Sequence, residues 1–597
     1  MDKAVDIHSL RAAVERLQKR LLELRNTDGF WEGHLASSPL ATAVGCFALH
    51  CVDPEKYARI VQRGLAWICE MQNPDGGWGD TDGKDPSNLS TSLLCRAALT
   101  AVDPDGFAAS IEKANHNIYC TVGSLDSNDI ISKVYEAYGS DRTFAVPILT
   151  MNALAGVFPE GREIWKRIDP LPFELAMLPR GLFSALNLKV VSYALPALIA
   201  IGQVRFHFQP PGNPLTAAVR KFSQVRTRKL LEKIQPSSGG FLEAAPLTGF
   251  VVMSMASMGL REHPVVQQGV DFLLSSARKD GSFPIDTNLA MWVTTHAVKT
   301  LTSQTMAEEL PAAEKNRLRD WILAGQFKTI HPFTGAHPGG WGWTDLPGSV
   351  PDADDTSGAL AALYDLCDDK EAVLPAIKNG ITWLLELQNS DGGIPTFCRG
   401  WGHFEFDRSC TDITAHAIAA FAKWQSKFDP TFQQRIQKSI AAALDYLDNC
   451  QNEDGSFDSL WFGRPENRPR QNNPVLDTAR VIAALSNLDS STDTRLRKIL
   501  RQGFSFLLTQ QQQDGGWAAA PSLPSSIEET AVTVQALAEF EDSHKSENVK
   551  ACIHKGLAWL CDHIESIQSC QAAPIGLYFA KLWYYEKMYP LLFSLQA

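Results

Sequence analysis

No stretch of this 597-residue chain reaches the roughly 20 consecutive apolar residues that a bilayer-spanning helix needs. The longest, Val190 to Gly202 and Gly249 to Gly259, suit a buried core helix or a surface that dips into one leaflet. Clustered Lys and Arg are also missing, and the formal charge is -12. A nucleic-acid partner is excluded on that ground, because a phosphate backbone must be met by a basic patch. The twelve cysteines form no CxxC pair and no metal-like spacing with histidine. Reduced, mostly buried thiols are expected, with no metal and no cofactor. Met1 to Asp6 lack a basic region followed by an apolar run, so no secretory signal is read and a cytoplasmic location is expected. Runs of alternating strand residues are absent as well.

What is present is a repeat. Asp28-Gly29-Phe30-Trp31, Asp75-Gly76-Gly77-Trp78, Asp280-Gly281-Ser282-Phe283, Asp391-Gly392-Gly393-Ile394, Asp454-Gly455-Ser456-Phe457 and Asp514-Gly515-Gly516-Trp517 are its copies. Several have an upstream partner: Gly64 and Trp67 precede Gln72, Gly380 and Trp383 precede Gln388, and Gly503 and Phe506 precede Gln510 and Gln511. The spacing predicts a helix that carries an aromatic inward, ends near the glutamine and turns sharply through Asp-Gly. The glutamine amide would bond exposed groups at the helix ends, with the tryptophan ring packed over it. Segments between the turns, such as Thr42 to Leu49 and Thr530 to Leu537, read as helices. Repeated helical hairpins must close into a toroid or extend as a solenoid to bury their faces. The length exceeds what one core usually supports, so the expected fold is all-α, a pair of α/α barrels.

One segment stands apart from the repeat. Val350-Pro351-Asp352-Ala353-Asp354-Asp355-Thr356-Ser357 leads into the apolar stretch Gly358 to Leu363. Acidic residues with Thr and Ser are what a solvated helix N-terminus carries, where they cap the helix and suit its dipole. The lead-in His337-Pro338-Gly339-Gly340-Trp341-Gly342-Trp343 is aromatic and glycine-rich, as expected for a pocket wall. In a dry pocket, crowded carboxyls keep at least one proton at neutral pH.

The glycine, aromatic, glutamine and Gly-x-Trp pattern resembles the QW repeat of the squalene-hopene and oxidosqualene cyclases, and it covers nearly the whole chain. The acidic segment is similar to the DxDD motif of cyclases that protonate a carbon-carbon double bond. The resemblance implies Asp354 as the general acid, with Asp352 and Asp355 orienting and polarising it. His416, in Thr411-Asp412-Ile413-Thr414-Ala415-His416, resembles the assisting histidine, whose positive charge would stabilise the carboxylate as it forms. It further implies a cation-stabilising wall of Trp341, Trp343, Phe397, Trp461, Tyr578 and Tyr585, with Asp286 and Asp412 at the site. Ring faces stabilise a carbocation without attacking it, by about 2 kcal/mol or more when dry.

Residues 22–297 would then form one barrel, and residues 1–21 with 298–597 the barrel carrying the acid, with the cavity between them. The implied activity is cyclisation of squalene, or a closely related linear isoprenoid, to a hopene-like triterpene by a peripheral, monotopic homodimer on the cytoplasmic membrane. Two alternatives stay open: a class II cyclase of a prenyl diphosphate, and a non-catalytic toroid that binds a partner. The oxidosqualene motif Asp-Cys-Thr-Ala-Glu is not found. The chain departs from the family at Ile285 and Leu476, where aromatics are usual, so substrate and product are expected to differ in detail.

Overall fold

The structure, a computed structural model, describes residues 7–597 apart from 84, 140–141, 179–189, 303–309, 490–492, 541–545, 575 and 579–581. Its helices are of two kinds, and the sequence explains both. Pro39–Val52 is apolar almost all round and almost wholly buried, as a helix with no polar face must be. Ala58–Glu70, which follows it, is amphipathic and buries only one stripe. The first kind forms inner rings and the second packs outside them.

One ring comprises Pro39–Val52, Leu89–Val102, Arg142–Leu154, Val190–Phe208 and Ala245–Ser257, each packed on the next and the last on the first. The second comprises Ala290–Leu301, Ala353–Leu366, Thr411–Trp424, Pro474–Leu485, Ile527–Glu539 and Tyr589–Gln596, closed in the same way. The first described helix, Ile7–Glu23, packs on Tyr589–Gln596, so it joins the second ring. The expected boundary after residue 297 falls inside Ala290–Leu301, which packs within the second ring. The break between the rings lies instead between Ser276 and Ala290. Only two short antiparallel ladders interrupt the helices among the described residues: Ile394–Pro395 with Ser409–Cys410, and Gly576–Tyr578 with Leu582–Tyr584.

The repeated turns work as fasteners. Each indole N–H donates to a carbonyl near the end of the preceding helix: Trp31 to Leu21, Trp78 to Ile68 and Trp517 to Leu507, at 2.7–2.8 Å. Each glutamine amide donates twice, to the glycine carbonyl of its own turn and to a carbonyl of the next outer helix. Gln72 reaches Gly76 and Ser110, Gln388 reaches Gly392 and Ser439, and Gln511 reaches Gly515 and Cys552. Of the adjacent pair Gln510 and Gln511, the second makes the link. Gly76 and Gly515 have φ of 85° and 95°, where glycine alone is unstrained. Two more such turns, at Gln235–Gly239 and Gln326–Gly339, lack the aspartate that marks the others.

All twelve cysteines are free; Cys46, Cys95 and Cys410 are buried, whereas Cys120 is exposed. Among the described residues no helix is long and apolar enough to cross a membrane.

Candidate active site

The acidic segment enters the structure as both a helix start and a cavity wall. Asp352 is the N-cap of Ala353–Leu366, its side chain accepting from the Asp355 amide at 2.8 Å. The backbone before it pairs with Trp341, Asp352 N donating to Trp341 O at 2.9 Å, and Ala353 N donates to Thr396 O at 2.8 Å. Two loops therefore clamp the acidic turn, which opens on a hollow of about 640 Å³ measured out to its mouth.

Asp352, Asp354 and Asp355 lie on one side of this hollow. Leu289, Trp292, Trp343, Thr396, Phe397, Ile413, Trp461, Phe462, Tyr584 and Tyr589 make the rest. Phe397 meets Trp343 and Trp461 edge to face, with centroids 6.3 and 6.0 Å apart. The Trp461 indole is fixed by a hydrogen bond to the Thr396 hydroxyl at 2.5 Å. Such edge contacts leave ring faces free to meet positive charge.

Asp354 has His416 and Arg480 behind it. His416 Nδ1 is 2.6 Å from one carboxylate oxygen and Arg480 Nη2 is 3.1 Å from the other. Arg480 also lies 3.1 Å from Asp412, whose other oxygen accepts from the Cys410 thiol at 2.9 Å. The guanidinium sits over the rings of Trp292 and Phe462, 5.6 and 4.3 Å from their centroids. Burial pushes the Asp354 carboxyl up, but Arg480 and His416 outweigh it and hold the group well below the ordinary carboxylate range. Asp352 and Asp355 have no cation beside them, and burial drives both upward. The Asp352 and Asp355 carboxyls also interact with each other, as fits a pair that keeps a proton at neutral pH. Burial, with Asp412 nearby, also raises Asp477, which accepts from Ser459 N at 2.8 Å.

Two expected wall residues, Trp341 and Tyr585, and one expected site acid, Asp286, are placed elsewhere. Trp341 is a fastener: its indole donates to Ile322 O at 2.6 Å and it fills the space over Gly380. Tyr585 turns away from the hollow and its hydroxyl donates to Asp82. Tyr584 lines the hollow in its stead, because successive side chains of an extended chain point to opposite sides. Asp286 is buried outside the lining and accepts from the Thr287 amide. Asp412 acts at one remove, through Arg480. Tyr578 belongs to the strand Gly576–Tyr578, but its side chain lies outside the described residues. Sequence reasoning missed Arg480, Trp292, Phe462, Tyr584 and Tyr589. The one signal for Arg480 was a lone arginine in a largely apolar helix, Pro474–Leu485.

Paired α/α rings with a cation-backed carboxyl group on an aromatic hollow define the architecture of class II terpene cyclases. Residues 14–138 match the squalene-hopene cyclase N-terminal domain, 289–522 the squalene-hopene cyclase C-terminal domain, and 476–571 the prenyltransferase α/α toroid domain. The chain is 24% identical to the terpene cyclase-glycosyl transferase fusion protein fsoA of Humicola fuscoatra, over 94% of this chain and 47% of that protein. It thus spans about half the length of that relative. It is 22% identical to the squalene-hopene cyclase of Alicyclobacillus acidocaldarius, over 78% of this chain and 77% of that one. Its fold is similar to that of ent-copalyl diphosphate synthase from Streptomyces platensis, with a TM-score of 0.58, 18% identity and 98% of each chain covered. The chain belongs to the squalene-hopene cyclase family.

Proposed function

We propose that this chain cyclises a linear isoprenoid by protonating a terminal alkene from Asp354, with squalene or a near relative as substrate and a hopene-like polycycle as product. The observation that carries the reading is the Asp354 carboxyl on the wall of an aromatic hollow, with His416 at 2.6 Å and Arg480 at 3.1 Å behind it. Alkenes are very weak bases, so the acid must be strong, and a strong acid is one whose conjugate base is stabilised the moment it forms. Once the proton has gone, the Arg480 guanidinium meets the carboxylate, with the His416 ring hydrogen-bonded to its other oxygen. The carbocation meets Trp343, Phe397 and Trp461, which stabilise it and offer no nucleophile, while the apolar lining keeps out water that would capture it early.

Squalene dissolves in lipid, and one face of the helix Pro214–Ile234 suits an anionic bilayer surface. Leu215, Val219, Phe222 and Val225 are exposed along it at helical spacing. Lys221, Arg226 and Lys229 rise from the same helix, with Arg226 stacked on Phe222. Apolar side chains beside basic ones are what a peripheral helix presents to anionic lipid.

A second reading, a prenyl diphosphate substrate, is favoured by a neighbouring hollow. It shares Phe397 with the first and carries Arg399, a cation that would meet a diphosphate, with His337 and Glu386 in the same lining. Incubation of the purified protein with squalene in detergent, and separately with geranylgeranyl diphosphate, followed by mass spectrometry, decides between them. Cyclic hydrocarbon from squalene, lost at least a thousandfold in a folded Asp354→Asn variant, is the expected result. Cyclisation of the diphosphate alone would select the second reading, and no cyclisation of either would leave a binding toroid.

A further inference from the structure

Thr396 grips two parts of the site at once. It follows the strand Ile394–Pro395, which pairs with Ser409–Cys410. Ile394 N ties that strand, at 2.8 Å, to the Thr414 hydroxyl on the helix that carries His416. The Thr396 carbonyl accepts from Ala353 N at 2.8 Å and so holds the acidic turn. Its hydroxyl accepts from the Trp461 indole at 2.5 Å. The side chain is 7% exposed and lines the hollow together with Asp354 and Trp461. The acid and one indole of the wall are thus held from a single backbone position.

Trp461 needs that tether. It belongs to a segment outside any helix or strand, 65 residues from Thr396 in sequence. The torsion that turns an aromatic ring about its own bond has a broad energy profile, so it leaves the ring plane loosely set. Phe397 and Phe406 meet the Trp461 ring at 86° and 81°, and the bond to Thr396 fixes the N–H edge. The direction in which this group lies also matters. Trp292 and Phe462 flank Arg480 and therefore belong to the acid's end of the hollow. Phe397 and Phe406 both touch Tyr193 of the first ring, with centroids 5.5 Å apart. Trp461 thus stands on the side toward the first ring, where a cation arrives after leaving the acid.

We propose that the Thr396 hydroxyl determines how many carbocycles this chain closes, by holding the face of Trp461 where a carbocation arises after the first closure. The inference rests on the proposed acid role of Asp354. Each closure uses the electron pair of the next double bond and moves the positive charge along the isoprenoid, away from Asp354. A cation that meets a ring face is favoured by a factor of about 30 in a dry site. A cation that meets none ends early: a neighbouring C–H bond gives its electron pair to a new double bond and its proton to water. Thr396 is a positioning residue in this scheme, acting through Trp461.

Thr396→Val keeps the side-chain shape and the backbone grip on the acidic turn but removes the oxygen, whereas Thr396→Ser keeps the oxygen. Each protein is given squalene in detergent and, separately, geranylgeranyl diphosphate, and the products are resolved by gas chromatography and mass spectrometry. With the substrate that the wild type cyclises, Thr396→Val should raise the ratio of products with fewer carbocycles to the wild-type product about tenfold. Thr396→Ser should restore the wild-type ratio. Trp461→Phe should shift the ratio in the same sense, and Thr396→Val should add nothing to it, since no N–H is left to hold. An unchanged ratio in Thr396→Val, or additive shifts in the double variant, would overturn the proposal. Slower turnover at an unchanged ratio would overturn it too, as the mark of a residue that only holds the fold. If thermal melting shows Thr396→Val unfolded, Thr396→Ala decides by the same ratio. A wild type that cyclises neither substrate would refute the acid reading and this inference with it, whereas an active wild type with an unmoved ratio refutes the role of Thr396 alone.

Discussion

Replacing Arg480 with glutamine removes a guanidinium that lies 3.1 Å from Asp354 and 3.1 Å from Asp412. A hydrogen bond to a charged group contributes about 1.5–3 kcal/mol net. Asp354 therefore becomes the weaker acid by about 1–2 pKa units. Two effects then oppose each other. The protonated form becomes more plentiful at neutral pH by about 10- to 100-fold, while each protonated molecule transfers its proton more slowly. Because the carbocation lies high and the transfer is late, nearly all of the lost acidity appears in the barrier, again about 10- to 100-fold. Well above the pKa the two effects cancel, and below it only the slower transfer remains.

The expected profile of kcat from pH 2 to 8 follows, a window that reaches the depressed pKa of Asp354 at about 2. The wild-type rate climbs as pH falls toward the depressed pKa of Asp354. Arg480→Gln climbs beside it at high pH, then levels off about one to two units sooner at a plateau about 10- to 100-fold lower. Steady-state cyclisation with product quantified by gas chromatography reads this directly. The variant also strands the Asp412 carboxylate, which keeps only the Cys410 thiol. Adding Asp412→Asn should restore stability without lifting the plateau. Parallel curves, with one bend and a constant ratio at every pH, would show that Arg480 holds the fold and does not set the strength of the acid.

Two further outcomes bear on the same structure. Burial raises Asp352, so its contribution is favourable below the unfolded carboxyl pKa near 4 and is lost as pH rises through the folded value. Asp352→Asn keeps the N-cap, and its stability gain in denaturant unfolding should grow by on the order of 2 kcal/mol between pH 5 and pH 8; an equal gain at both would refute the assignment. Trp517→Phe removes the bond to Leu507 O and part of a fully buried ring. It should lower stability by about 2–3 kcal/mol with the product spectrum unchanged, and an altered spectrum would show that the fasteners shape the hollow.

The repeat made the helical toroid legible before any coordinates, because Asp-Gly turns and a glutamine about two helical turns past a glycine are local features written in adjacent residues. The turns at Gln235 and Gln326 escaped because the bond to the glycine carbonyl, and not the aspartate, defines the fastener. Trp341 was misread for a related reason. It stands two residues from Trp343 in one aromatic run, and only the carbonyl of Ile322 shows that it belongs to the core. Arg480 is 126 residues from Asp354 in sequence, and no local pattern announces a pair made by closing a ring. Tyr584 and Tyr585 differ by one step of an extended chain, and residue types alone do not tell which of two tyrosines faces inward.

The acidic turn shows why the helix-cap and acid readings of the sequence are not rivals. Asp352 caps Ala353–Leu366, and the first turn of that helix carries Asp354 and Asp355, so the positive end of the helix favours carboxylates at both positions. If the helix alone decided, both would be depressed. Asp355 is instead raised, and Asp354 is lowered. The difference is where each side chain goes. Asp354 reaches toward the neighbouring inner helices, which supply His416 and Arg480, while Asp355 stays with Asp352 where no cation stands among the described residues. Three identical carboxyl groups are thereby sorted into one strong acid and two proton-holding neighbours by their directions of exit from a single helical turn. A cap that needed only to end a helix would gain nothing from that sorting. The proposed protonation of an alkene by Asp354 depends on it.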